Sequence, residues 1–383
     1  MVRTTGRRHA TGNPGPNPLP GHELRPGLGR TRTAALLGLT LLAATACIPE
    51  GERAPWPEQA IAWTDGTDTH VWWKGEATEL PETNWIHGWL PQRPRFLYST
   101  PEGFGVFDAE RGETVAEYPC SCKALTGTDP DFPIVVHQYD RDEFVWLDQD
   151  LEPLAAVMAT DVLPIHTPDP GIYPGDLHGP TLYLGYAEHF NERVLADGIY
   201  GLDPDGELTP VLPQAQEFPQ GRMDLHVSPD GGTIAYVQRQ DRSTCERWAS
   251  ITLLDAKGAE RPQKIAPPAP LENRSTEIGQ VRWEGDELYF TARESGFFGH
   301  LVMPCDDAME PLRISSLYRA ATDESEPLAE AVLMEQPLGE DGRVRLTAPE
   351  PGEEGPLLQV RRGEAWSTLA QRPGDVHVQP WSP

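Results

Sequence analysis

Seven short apolar runs recur along the chain, and their spacing limits the folds that this sequence can adopt. The runs begin at Ile61, Phe96, Ile134, Leu182, Ile234, Leu288 and Val344. Successive starts lie 35, 38, 48, 52, 54 and 56 residues apart, the range expected for one repeated supersecondary unit. Helical periodicity is almost absent, whereas β-branched and aromatic runs alternate with turn residues. The pattern therefore predicts an all-β fold built from similar sheets.

Further strand candidates follow each run, so that one repeat has the content of a four-stranded propeller blade. Residues 58–383 are therefore expected to form a single β-propeller of seven blades, with six blades as the alternative. The expected blades are residues 60–82, 83–119, 120–158, 172–213, 222–268, 278–334 and 335–373.

The end of the chain repeats an earlier strand. Residues 375–380 (Asp-Val-His-Val-Gln-Pro) resemble residues 224–229 (Asp-Leu-His-Val-Ser-Pro), which we assign to the innermost strand of a blade. No further strands follow the second copy. We therefore expect residues 374–381 to complete the first blade and to close the ring, which removes a free sheet edge.

One blade carries a specific repeat motif. Residues 227–237 read Val-Ser-Pro-Asp-Gly-Gly-Thr-Ile-Ala-Tyr-Val, with a Ser-Pro-Asp-Gly turn between two strands. This segment resembles the repeat of the TolB-like (PD40) β-propellers. The resemblance implies a propeller that holds a protein or peptide through its loops or its channel mouth.

The first 46 residues have the features of a signal peptide. They contain six arginines, no lysine and one acidic residue, and they end in an apolar stretch from Ala34 to Ala46. That stretch is shorter than the roughly 20 apolar residues that cross a bilayer as a helix, so we expect export and removal of residues 1–46.

The stretch ends in Ala44-Thr45-Ala46-Cys47, which resembles the lipobox of bacterial lipoproteins. In that class the cysteine is acylated and becomes the first mature residue. We expect lipidation, as palmitate, at Cys47 and a short Pro-rich tether over residues 47–57. The expected location is the periplasmic face of the outer membrane or the cell surface. The alternative is an ordinary signal peptide that is cleaved after Ala46.

The charge of the chain excludes one class of partner. There are 59 acidic and 31 basic residues, a net charge of −28, and six of the arginines lie in the expected signal peptide. Binding to nucleic acid depends on clusters of Lys and Arg that release counterions. We therefore expect no nucleic-acid partner, whereas cationic groups or a divalent cation suit the charge better.

Four cysteines follow Cys47, an even number that permits disulfides in an exported protein. We predict a disulfide between Cys245 and Cys305, which occupy equivalent loops of neighbouring blades; the alternative is two free thiols. Cys120 and Cys122 form a lone C-x-C pair. That pair is expected either to close a tight bridge or to stay reduced, and it is weak support for a metal site.

Three Asp-x-His pairs are the candidate binding site: Asp176 and His178, Asp224 and His226, and Asp375 and His377. Alternation along a strand places each Asp and its His on one face. On the innermost strands of three blades, these side chains are expected to face the channel, where they suit a divalent ion or a cationic group. The alternative is that they only bond to the neighbouring backbone. Asp203 and Asp205 are a weaker cation candidate, because Asp-x-Asp-Gly usually forms a turn.

No catalytic signature was found: the chain has no Gly-x-Ser-x-Gly, His-Glu-x-x-His or Gly-x-x-x-x-Gly-Lys motif. The leading hypothesis is an envelope lipoprotein whose propeller binds or scaffolds a protein or peptide, without a cofactor. The alternative is a propeller enzyme, a lyase or hydrolase, that uses Asp and His residues at the channel mouth.

The anchor hypothesis predicts that the protein incorporates radiolabelled palmitate and that Cys47→Ser abolishes both the label and membrane association. Ser differs from Cys by one atom but does not take the thioether-linked lipid. If the Cys47→Ser protein stays with the membrane fraction, lipidation of Cys47 is not the anchor.

Overall fold

The computed structural model describes residues 59–65, 68–80, 85–163, 171–190, 193–212, 224–241, 247–258, 262–265, 275–295, 315–321, 325–348 and 355–380. These residues form twenty-eight β-strands and one four-residue helix, α1 (Ala159–Val162). The all-β prediction is therefore confirmed. Within these residues, no helix is long and apolar enough to cross a membrane.

The strands are short and follow one another closely. The first fourteen are β1 (Ile61–Thr64), β2 (Thr69–Trp73), β3 (Glu76–Leu80), β4 (Ile86–Trp89), β5 (Arg95–Thr100), β6 (Gly103–Asp108), β7 (Glu113–Pro119), β8 (Cys122–Thr126), β9 (Ile134–Gln138), β10 (Glu143–Leu147), β11 (Pro153–Met158), β12 (Gly171–His178), β13 (Thr181–Phe190) and β14 (Arg193–Leu202). The others are β15 (Leu208–Leu212), β16 (Asp224–Val227), β17 (Thr233–Asp241), β18 (Arg247–Asp255), β19 (Gln263–Ile265), β20 (Ser275–Glu284), β21 (Glu287–Ser295), β22 (Ser316–Arg319), β23 (Glu326–Glu330), β24 (Val332–Leu338), β25 (Gly342–Thr347), β26 (Leu357–Arg362), β27 (Ala365–Gln371) and β28 (Val376–Val378).

The strands form seven antiparallel sheets of four strands each, arranged around an axis as the blades of a propeller. Six blades consist of consecutive strands: β4–β7, β8–β11, β12–β15, β16–β19, β20–β23 and β24–β27. The first blade has the order β28-β1-β2-β3. Seven blades are present rather than six, and the apolar runs that recur in the sequence form the second strand of each blade.

The C-terminal strand closes the ring, as predicted. β28 pairs with β1 through Ile61 with Val378, Ala62 with His377 and Trp63 with Val376. Beyond the end of β28, the Gln379 amide donates to the Ala60 carbonyl oxygen at 3.0 Å. The first blade thus takes its innermost strand from the end of the chain, and this strand pairs the edge of β1 that would otherwise be free.

The border between the sixth and seventh blades differs from the prediction. We expected residues 278–334 and 335–373, with the border after residue 334. The structure instead ends β23 at Glu330 and begins β24 at Val332, on either side of Ala331 at φ 59°. The left-handed conformation of Ala331 interrupts the extended backbone, and two strands of different blades adjoin there without a loop. An apolar run cannot reveal such a break.

Aspartates end the third strand of several blades and organise the turn that follows. The side chain of Asp108 accepts the amides of Glu110 and Arg111, each at 3.1 Å, and Asp148 accepts those of Asp150 and Glu152, each at 2.9 Å. An aspartate whose side chain accepts hydrogen bonds from the backbone amides that follow it forms an Asx-turn. The same local chemistry therefore recurs from blade to blade.

Apolar side chains fill six of the seven spaces between neighbouring blades. Counting from the blade that β28 closes, buried clusters lie between blades 1 and 2, 2 and 3, 3 and 4, 4 and 5, 5 and 6, and 7 and 1. Burial of apolar area is the main favourable term in folding. Among the described residues no such cluster lies between blades 6 and 7.

The closure predicts a specific loss of stability on truncation of Val378, which is 7% exposed and packs against Ile61 and Trp63. Val378→Ala should lower the free energy of unfolding by about 2 kcal/mol, because two buried methyl groups are lost and a cavity remains. Urea denaturation measures the change. Leu154→Ala, at a side chain that is 47% exposed, is the control and should change it by less than about 0.5 kcal/mol. Equal effects would contradict the packing of β28 described here.

Candidate functional site

A cavity of about 1240 Å³ lies where the innermost strands end and turn into the second strands. Every blade contributes to its wall. One lining residue from each blade, in ring order, is Val378, Trp89, Thr126, His178, Val227, Glu284 and Gln336. The cavity is therefore the mouth of the central channel on the face that carries the turns between first and second strands.

The Asp-x-His strands are innermost, but they do not bring their side chains to one point. β12, β16 and β28 are the inner strands of blades 4, 5 and 1. Asp176, His178 and His226 line the cavity, whereas His377 does not. Asp224 and Asp375 are also outside the lining. The six candidate residues therefore split into two groups, only one of which faces the cavity.

Asp176 connects two blades. Its carboxylate accepts the Leu177 amide at 2.8 Å and the Val227 amide of the next blade at 2.7 Å. Burial raises the pKa of Asp176 to about 6, although both amide bonds oppose that shift. A bulge in β12 between Pro174 and Asp176 turns this side chain towards its neighbour. Asp176 is thus a cavity carboxylate whose two oxygens already accept backbone bonds.

The backbones of the other two Asp-x-His strands connect blades. The Trp283 indole Nε1 donates to the His226 carbonyl oxygen at 2.9 Å, and the Trp89 Nε1 donates to the His377 carbonyl oxygen at 3.0 Å. In each case the tryptophan lies on the inner strand of the next blade. Burial lowers the pKa of both imidazoles, so both are neutral at neutral pH.

His178 lies against the Ser-Pro-Asp-Gly turn of the next blade. A Cβ atom at Gly231 would come within 2.7 Å of the His178 Nε2 atom, and Gly231 has a φ of 70°. Within that turn, Ser228 Oγ donates to the Asp230 carboxylate at 2.6 Å and accepts the Thr233 amide at 2.9 Å. The glycine of the motif therefore serves both the backbone conformation and the close approach of His178.

His87 is a further histidine on an innermost strand, and the Asp-x-His pattern does not include it. It lies on β4, next to His377 of the preceding blade, and burial together with His377 lowers its pKa to about 4. The residue two positions earlier is Trp85, not an aspartate, so the Asp-x-His pattern does not find it. The signal present was the similarity of Ile86-His87-Gly88 to Val376-His377-Val378 at the same position of a blade.

The three predicted histidines do not form a shared ligand set. Among the described residues, the group of three ligand-type side chains whose atoms lie within 4.8 Å of one another consists of Asp203, Asp205 and Glu207. That group belongs to the turn after β14, where the Glu207 amide donates to Asp205 at 3.2 Å and Thr181 Oγ1 donates to Asp203 at 2.5 Å. The bonds are those of a turn, as in the other blades.

An arginine cluster, defined as Arg282, Arg343 and Arg361, lines the cavity on blades 6 and 7. Glu284 accepts bonds from Arg282 Nη2 at 2.5 Å and from Arg343 Nη1 at 2.8 Å. Two buried nitrogens, Arg282 Nη1 and Arg361 Nε, have no hydrogen-bond partner among the described residues. No sequence motif indicates this cluster, because the three arginines are far apart in the chain and the overall charge is strongly negative.

Only one pair of cysteines lies within the described residues. Cys120, which follows β7, and Cys122, the first residue of β8, form a close pair with Cα atoms 5.5 Å apart. That distance is compatible with the bridged alternative for the C-x-C pair. The predicted partners Cys245 and Cys305, and the lipidation residue Cys47, lie outside the described residues.

Comparison with known proteins shows the architecture and no more. No family model matches the chain, and no curated protein matches it in sequence. The β-propeller domain of the Trilobed protease from Pyrococcus furiosus superimposes with a TM-score of 0.53 at 13% identity, over 82% of this chain and 95% of that one. The fold is that of a β-propeller. The Pyrococcus domain has an open velcro topology, whereas β28 closes the ring in this propeller.

Two weaker similarities were also found. A protein from Lactobacillus plantarum superimposes with a TM-score of 0.48 at 12% identity, over 85% of this chain and all of that one. A putative TolB from Agrobacterium tumefaciens gives 0.37 at 15% identity, over 67% and 83% of the two chains. Neither assigns a function to this propeller.

The environment of Asp176 predicts a pH dependence of stability. Its pKa of about 6 lies above that of an unfolded aspartate, so the folded protein binds the proton more tightly and gains stability as the pH falls through 6. Relative to Asp176→Asn, the wild-type protein should gain about 1 kcal/mol in free energy of unfolding between pH 7 and pH 5. Urea denaturation at both pH values measures this. Asp140→Asn, at an exposed turn, is the control and should show the same change of unfolding free energy with pH as the wild type. If Asp176→Asn also shows the wild-type change, our assignment to Asp176 is wrong.

Proposed function

We propose that this protein is an envelope lipoprotein whose propeller is a binding or scaffold module, and that the cavity holds a peptide segment of a partner protein. The observation that carries the proposal is the channel mouth, about 1240 Å³ in volume and lined by all seven blades. Small-molecule pockets usually measure about 300–1000 Å³. A cavity above that range suits a chain segment.

The lining has the chemistry of a peptide site. Apolar groups such as Trp283, Leu90 and Pro337 lie among charged groups such as Arg343 and Glu284. Aromatic and arginine side chains carry much of the energy in protein interfaces. The turns that present these groups are held by rigid strands, the usual arrangement for binding loops.

The TolB-like repeat motif supports the same function. Its residues Val227 and Pro229 line the cavity, and its glycine packs against His178. Membership of the TolB-like family is part of the proposal, and so is the expectation that the partner is a protein or peptide of the cell envelope. The negative charge of the chain argues against nucleic acid in this role.

The anchor complements this role. Cys47 precedes Gln59, the first described residue, by 12 positions, and a chain of that length spans at most about 40 Å. A lipid on Cys47 would keep the propeller close to its membrane. We therefore propose a propeller that meets partners at the membrane surface, on the periplasmic face of the outer membrane or outside the cell.

An enzyme remains the second candidate, because of one observation. Asp176 is a cavity carboxylate with a pKa of about 6, a value suited to a general acid or base at neutral pH. His178 lies on the same strand. A lyase or hydrolase of this kind would lose its activity in Asp176→Asn, whereas peptide binding would not require that carboxylate.

The test of peptide binding is a steric block at the mouth. Thr128 is exposed and lines the cavity, so Thr128→Trp should obstruct it without disturbing the core. Peptides selected from a random library on the full-length protein should bind the wild type and lose about tenfold or more in affinity for Thr128→Trp, as measured by calorimetry.

The matched control is Asp140→Trp, which places the same bulky side chain on the exposed turn between β9 and β10. That turn lies at the opposite end of the blade from the cavity, so the selected peptides should bind this variant as they bind the wild type. If no peptide is selected, or if both variants bind equally well, the cavity is not the binding site.

A further inference from the structure

The space between blades 6 and 7 is unlike the other six. Where the others hold a buried apolar cluster, the described residues here place polar contacts between the blades. Thr291 Oγ1 donates to the Leu333 carbonyl oxygen at 3.1 Å, and the Glu335 amide donates to Gln280 Oε1 at 3.1 Å. At the cavity end of this space, which we call the polar seam, lies the arginine cluster.

The arginine cluster concentrates positive charge, whereas the molecule as a whole has a net charge of −28. Arg343 and Arg361 lie directly opposite each other on β25 and β26, a pairing of like charges that destabilises a sheet. One described carboxylate, that of Glu284, accepts bonds from two of the three guanidinium groups. Arg361 has no carboxylate partner among the described residues.

The hydrogen bonding of the cluster is incomplete. Arg282 Nη1 and Arg361 Nε are buried without a partner in the part of the chain that the structure describes. The Arg282 side chain is only 11% exposed. Unmet donors on a charged group cost more than those on a neutral group. A buried donor without a partner calls for an explanation, and a bound anion is one such explanation.

We propose that the polar seam is a carboxylate site, at which the arginine cluster anchors an acidic side chain or a C-terminal carboxylate of the peptide that enters the cavity. Guanidinium groups match carboxylates in a two-bond geometry. The ligand carboxylate completes the bonding of Arg361 and Arg282 beside Glu284. This inference rests on the proposed peptide-binding function, and it specifies the chemistry of the peptide.

Besides Glu284, three acidic residues line the same cavity and bear on the sign of the charge: Asp176 on blade 4, Glu340 and Asp341. Glu340 and Asp341 line it from the turn between β24 and β25, and both are exposed. Water and salt screen charges in that position. Glu284, at 20% side-chain exposure, is the acidic group with most influence on the cluster, because it is in direct contact with it.

The test uses calorimetry with two capped peptides, hexaglutamate and hexaglutamine, on the full-length protein at fixed ionic strength. Hexaglutamate should bind and hexaglutamine should not, although the protein carries a net charge of −28 that repels an acidic peptide. Arg361→Gln should weaken hexaglutamate binding about tenfold or more, since it removes a charged donor that makes no ion pair among the described residues.

Two further variants complete the design. Arg111→Gln, at a side chain that is 58% exposed on blade 2, removes the same charge elsewhere and should leave binding unchanged. Glu284→Gln removes the carboxylate that competes for Arg282 and Arg343, so it should strengthen hexaglutamate binding. These opposite signs separate a local site from loss of folding, which would weaken binding in every variant.

Failure of this inference differs from failure of the proposed function. If hexaglutamate does not bind, or binds Arg361→Gln as well as the wild type, the carboxylate site is wrong. Library peptides without acidic residues that still lose affinity for Thr128→Trp would leave the peptide-binding function intact. If these also bind Thr128→Trp normally, both proposals are wrong.

Discussion

The pairing of β28 with β1 is the constraint on which the rest of the propeller depends. Three residue pairs join the last strand of the chain to the first blade, so the seven sheets cannot rotate apart without breaking contacts between the two ends of the sequence. Because the ring is closed, the inner strands converge and their ends form one cavity. The side chains that line it come from blades far apart in the chain. The first blade contributes to that cavity through Val378, a residue that the chain reaches only at its end. Closure therefore creates the site as well as the fold.

Closure also determines how the blades are held together. The apolar clusters pack neighbouring sheets face to face, and individual polar bonds near the channel then fix how the blades are aligned. The Lys123 ammonium donates to the Pro174 carbonyl oxygen at 2.9 Å, and the indoles of Trp89 and Trp283 make similar bonds to the preceding blades. Among the described residues, the polar seam between blades 6 and 7 contains no buried apolar cluster of this kind. In a ring that is already closed by β28, one weakly packed space is tolerated, because the sheets on both sides are held by their other neighbours. A seam of this kind is where binding groups can be placed without disturbing an apolar core.

The sequence predicts the fold more completely than the site, and particular residues show why. The blade borders follow from local patterns, because the apolar second strands and their turns are contiguous in the chain. The misplaced border at Ala331 depends on a single left-handed residue inside an apolar run, which the pattern cannot distinguish from a continuing strand. The Asp-x-His strands were correctly expected to be innermost, but side-chain direction within a twisted sheet depends on bulges such as the one before Asp176. The arginine cluster combines β20, β25 and β26, so its members become neighbours only after two blades pack together.

The three Asp-x-His strands occupy the same position in their blades, but they are linked to the next blade through different chemical groups. In β16 and β28 the histidine carbonyl oxygen accepts a hydrogen bond from a tryptophan indole of the next blade. The backbone of any residue at that position could accept the same bond. The aspartate of β12, in contrast, itself reaches the backbone of the next blade. No tryptophan occupies the equivalent place there, since Val227 stands at that position of β16. The carboxylate therefore substitutes for the indole as the link between blades. A repeated sequence pattern in a propeller consequently indicates a repeated position around the axis, whereas the chemistry at that position depends on what the following blade presents to it.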